Sequence, residues 1–145
     1  MRHIIFLIAY IYFLYVDVKE RKMELSALVI YAIIALVALG FTRESITFSK
    51  VLDILLSMAF GLVIYLLSFF SDEGIGLADG VYFVINGLLL TLKENLVLFL
   101  TGMFVAFIVG IFLFYFGNTK SRTESRIPFM PCFLPAIIGY IVCIV

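Results

Sequence analysis

Apolar positions in this chain run in six long blocks, parted by short polar breaks. The blocks are His3 to Val16, Leu25 to Phe41, Val51 to Phe70, Gly80 to Leu92, Leu96 to Phe116 and about Phe129 to Val145. A helix that crosses a bilayer needs about 20 such residues, with a working range of roughly 17–25. The fourth block is too short to cross alone unless the Gly-Ile-Gly-Leu-Ala-Asp before it enters the membrane too. The blocks are apolar on both parities, whereas a barrel strand alternates. An isolated strand leaves its backbone unsatisfied in lipid. The pattern therefore predicts an all-α fold, a polytopic membrane bundle of about six transmembrane helices, forming one domain over residues 1–145.

The breaks are "DVKERKME" (17–24), "TRESITFSK" (42–50), a third around residues 71–79, "KEN" (93–95) and "GNTKSRTESR" (117–126). If all six blocks span, the first, third and fifth breaks share one side. That side holds Lys19, Arg21, Lys22, Lys120, Arg122 and Arg126, against Arg2, Arg43, Lys50 and Lys93 on the other. Basic loops stay in the cytoplasm, so the bias predicts a multi-pass protein of the cell membrane with its N-terminus outside.

Composition sharpens this picture. The chain is 65% hydrophobic and 14% charged, against about 45–50% and 25% for a soluble domain, so its expected surroundings are the lipid bilayer. Its formal net charge is zero, which argues against a nucleic-acid partner. One His and two Cys cannot supply the roughly four close ligands of a structural zinc site, and no metal or other cofactor is expected. Cys132 and Cys143 read as small core residues. The first block lacks a small-residue cleavage site and ends in Tyr10, Tyr12, Phe13 and Tyr15, which argues against a removable signal peptide.

Two carboxylates stand at block ends. Asp17 closes the first block, and Asp79 opens the fourth within "DEGIGLADG" (72–80). Under the predicted topology both lie near the cytoplasmic face, where ionisable groups beside lipid suggest function. A close carboxylate pair cannot easily ionise twice, so it shares a proton. The charged member can then deprotonate water while the protonated one polarises a carbonyl. Gly74, Gly76, Ala78 and Gly80 keep the flanks of Asp79 small enough for a peptide to approach. The same spacing also fits a turn between two helices with Asp79 as the N-cap. Asp53 is expected to cap the third helix. Asn86, seven residues beyond Asp79 on the same helix face, is expected to hydrogen-bond within the bundle or to line a substrate path.

"GIGLAD" before an apolar helix resembles the GxGD-type motif of the type IV prepilin peptidases. "YVDVKERK" (15–22) is similar to the end of the first core helix in that family, which makes Asp17 the match to its first catalytic aspartate. "RIPFMPCFLPA" (126–136) resembles a Pro-Phe-x-Pro sequence that opens the last helix, through Pro128, Phe129 and Pro131. The three motifs occur in family order and cover nearly the whole chain. Ala78 replaces the Gly usual before the second Asp, Val81 a common Lys, Met23-Glu24 an Ile-Pro pair, and Met130 a Gly. The resemblance implies an aspartic endopeptidase with Asp17 and Asp79 as catalytic pair. It implies that Gly74, Gly76, Ala78, Gly80, Pro128, Phe129 and Pro131 lie along the substrate. The partner it implies is a prepilin-like precursor protein with a basic leader and a hydrophobic helix, cut at the cytoplasmic membrane face. The chain begins at its first helix, so the short form without a methylating N-terminal domain is expected. The alternative is a non-proteolytic transport or secretion-assembly component on the same scaffold, with the aspartates as cation or proton sites.

Overall fold

The computed structural model describes residues 2–20, 24–41, 47–70, 76–116 and 130–144. Among them there are six α-helices and no strand: α1 (Arg2–Glu20), α2 (Leu25–Phe41), α3 (Phe48–Phe70), α4 (Leu77–Leu89), α5 (Leu92–Phe116) and α6 (Leu134–Ile144). A 3-10 turn, Met130–Phe133, leads into α6. The predicted all-α class holds. Two helices, Phe48–Phe70 and Leu92–Phe112, are long and apolar enough to cross a membrane, with mean hydropathies of 2.2 and 2.4.

The helices fall into two compact units. The first comprises Met1–Tyr12 and Met23–Leu96. Its centre is α4, which packs mainly on α3 and also on α2. At 13 residues, α4 extends about 20 Å and is buried over most of its surface, through Gly80, Tyr82, Phe83 and Ile85 to Leu89. The buried stripe of α3 is Ser57, Gly61, Ile64 and Ser68, spaced four, three and four as one helix face demands. Three glycines bring the two backbones together. A Cβ at Gly80 would lie 2.5 Å from Tyr65 Cα, one at Gly87 would lie 2.6 Å from Met58 N, and one at Gly61 would run into the backbone of Phe83 and Val84. Residue numbers on α3 fall as those on α4 rise, so the pair is antiparallel. Its close approach depends on the absence of side chains at these three points.

Polar pins cross the same unit. Tyr31 Oη on α2 donates to Asn86 Oδ1 on α4 at 2.7 Å, and the Tyr31 ring stacks on Tyr82 at 5.9 Å. Asn95 is fully buried, and its Nδ2 donates to Ser57 Oγ at 3.2 Å and to Phe83 O at 3.1 Å. The fifth helix starts at Leu92, earlier than the block boundary at Leu96 implied. Thr91 and Glu94 explain this, because Glu94 Oε2 accepts from Thr91 N at 2.8 Å and Glu94 N donates to Thr91 Oγ1 at 3.3 Å, which is a capping box. Lys93, Glu94 and Asn95 therefore belong to the helix, not to a loop. Asp53 caps this helix and not its own: α3 begins five residues earlier, at Phe48, and Asp53 Oδ1 accepts from Leu92 N at 3.4 Å.

The second unit comprises Phe13–Lys22 and Val97–Val145. It holds the end of α1, most of α5, the 3-10 turn and α6. Met130 and Phe133 are wholly buried, with Cys132 and Ile137 close behind. Pro131 falls in the turn and Pro135 in the first turn of α6, positions that need no helical N–H donor.

Candidate active site

Asp17 lies in the last turn of α1, on the stripe that carries Phe6, Tyr10 and Phe13 at spacings of four, three and four. All four residues are buried, Asp17 to 8% exposure. Helix phase thus places a carboxylate on the packed face of an apolar helix. Its Oδ2 accepts a hydrogen bond from the Met130 backbone N–H at 2.9 Å. Met130 opens the 3-10 turn, so its N–H is one of the donors that a helix start leaves without an internal partner. The contact spans 113 residues of sequence. It brings the first motif, around Asp17, onto the third, at Met130-Pro131. The Cys132 thiol lies within electrostatic reach of the same carboxylate. On α5, a Cβ at Gly102 would run into the Phe133 ring, so the ring rests directly on the α5 backbone.

Asp79, in the first unit, is the third residue of α4. Gly76 is the N-cap, in extended backbone with φ −66° and ψ 134°, and as a glycine it brings no capping side chain of its own. The N-cap role that spacing had allowed for Asp79 therefore belongs to Gly76. Asp79 N donates to Gly76 O at 3.0 Å, and the carboxylate in the first turn meets the positive end of the helix dipole. That carboxylate folds back over Gly76, where an added Cβ would come within 2.9 Å of Oδ2. The space that glycine leaves at 76 is thus used by the neighbouring carboxylate. The space at Gly80 is taken by α3. Ala78 and Asp79 are half-buried.

Pro131 is half-buried beside Met130. Gly74, Pro128 and Phe129 lie outside the described residues, as do Asp72 and Glu73 and the basic residues Arg21, Lys22, Arg43, Lys120, Arg122 and Arg126. Asn86 accepts from Tyr31 within the first unit, a bond internal to the bundle. No group of three or more His, Cys, Asp or Glu that could hold a metal occurs among the described residues. Sequence reading passed over Gly102, and it noted Met130 only for replacing a glycine. The signal for Met130 is a backbone N–H, which no side-chain pattern carries. No family model, curated protein or solved structure matches the chain.

Proposed function

We propose that the chain is a multi-pass membrane aspartic endopeptidase of the prepilin peptidase type, with Asp17 and Asp79 as its catalytic carboxylates. The observation that supports this most is the hydrogen bond between Asp17 Oδ2 and Met130 N. It joins two of the three motifs that carry the resemblance, and it does so through the aspartate. The placement of Asp79 in the first turn of α4, half-buried and with its carboxylate over Gly76, suits an acid that water must reach. Wide apolar exposure supports the membrane setting. Ile30, Ile33, Ile34 and Val37 on α2, Leu62, Val63, Leu66 and Leu67 on α3, and Phe104, Phe107, Ile108 and Phe112 on α5 all face outward. Water does not tolerate apolar patches of that extent on a monomer.

In this reading one carboxylate removes a proton from water and the other, protonated, donates to the carbonyl oxygen of the scissile peptide. The water oxygen bonds to the carbonyl carbon, and the C–N bond breaks as its nitrogen takes up a proton. The substrate is a precursor with a short basic leader and a hydrophobic helix, cut at the cytoplasmic face. By the resemblance, Gly74, Gly76, Ala78, Gly80, Pro128, Phe129 and Pro131 are the residues assigned to contact the substrate. The test is cleavage of a co-expressed prepilin-like precursor by wild type, Asp17→Asn and Asp79→Asn at matched membrane levels. Cleavage by wild type alone is expected. Ion or proton flux that depends on the two aspartates, without cleavage, would replace this reading with the transport one.

A further inference from the structure

The 3-10 turn Met130–Phe133 is anchored at both ends. At its start the Met130 N–H donates to Asp17 Oδ2 at 2.9 Å. At its end the Phe133 ring occupies the notch left by Gly102 on α5, close enough that a Cβ there would overlap ring atoms Cδ1 and Cε1. Met130 and Phe133 are both 0% exposed. A turn of four residues rises only about 2 Å per residue, and Pro131 fixes one of its φ angles. It is too short and stiff to absorb a shift at one end without moving the other. The distance of the Met130 N–H from Asp17 is therefore set in part by how deeply Phe133 sits on Gly102.

We infer that Gly102 and Phe133 are positioning residues for Asp17. The notch on α5 seats the turn, the turn presents one backbone N–H, and that N–H holds the carboxylate in a single orientation. Neither residue touches the reacting atoms. Its consequence for cleavage rests on the proposed protease function, whereas the link between notch, turn and carboxylate stands apart from any activity.

Cys132 lies inside the turn and is 4% exposed, so its labelling rate by a membrane-permeant maleimide reports how firmly the turn is seated. In a Cys143→Ser background the otherwise unaltered protein should label slowly. Gly102→Ala should raise the rate about tenfold or more by expelling the ring. Asp17→Ala should do likewise by removing the acceptor, as expected for loss of a buried hydrogen bond. Phe133→Leu alone should also label faster, and it carries the test if Gly102→Ala does not accumulate. The double variant Gly102→Ala/Phe133→Leu, in which a smaller side chain meets the added methyl, should return toward the slow rate. In cleavage of a prepilin-like precursor, Gly102→Ala should lower kcat about tenfold or more with KM little changed, and the double variant should recover it. Slow labelling in both Gly102→Ala and Asp17→Ala would overturn the inference. Fast labelling with unaltered kcat, in a protein that Asp17→Asn inactivates, would overturn the positioning role and leave the protease reading standing. Equal cleavage by wild type and Asp17→Asn would end the protease reading, and the labelling series would still decide the link.

Discussion

At Gly76 a single hydrogen atom separates a seated carboxylate from a displaced one. The backbone there, φ −66° and ψ 134°, is open to any residue, so alanine meets no conformational penalty. Its methyl would meet Asp79 Oδ2 at 2.9 Å, and the carboxylate would have to swing away. Gly76→Ala is expected to leave thermal unfolding in detergent nearly unchanged. It should cut precursor cleavage about tenfold or more, because misplacement by about 1 Å is costly at a reacting centre. Unfolding and cleavage measured on the same preparation separate the two effects. Tyr31→Phe tests the opposite case, a polar atom that serves the core. It removes the donor to the buried Asn86 Oδ1 and should cost about 1–3 kcal/mol of stability, read as a lower unfolding temperature.

Between elements, the antiparallel seam of α3 and α4 carries the sharpest expectation. Gly61→Ala and Gly87→Ala each put a methyl into backbone atoms, which side-chain repacking cannot relieve. Each should destabilise by about 1–3 kcal/mol or more. Gly40→Ala and Gly139→Ala meet nothing within 4 Å and should be neutral or stabilising by up to about 1 kcal/mol. Equal effects in both groups, in a thermal unfolding series, would contradict the seam. The bounds of α2 were legible from hydropathy alone, Leu25 to Phe41. The start of α5 was legible too, in Thr91 and Glu94, but a reading that assigns charged residues to loops passed over it. What no single sequence could convey was partnership. Nothing local ties Gly61 to Val84, Asn95 to Ser57, or Gly102 to Phe133, because each contact is set by how helices meet and not by the period of either one. The aspartates were visible as charges at block ends. The amide that holds Asp17 was not, since every residue but proline offers one.

At the scale of the whole molecule, the proposed function requires two carboxylates far apart in sequence to serve one hydrolytic reaction at a membrane face. Each is placed by its own device: Asp17 by the buried stripe of α1 and the Met130 amide, Asp79 by the glycine-capped start of α4. The most direct measurement is cleavage by the purified protein alone, reconstituted in lipid, of a precursor with a basic leader and a hydrophobic helix, with the cut bond located by mass spectrometry. One cut between leader and hydrophobic helix is expected, with a loss of at least about a hundredfold in Asp17→Asn and in Asp79→Asn. Cleavage at the wild-type rate by either variant would contradict it.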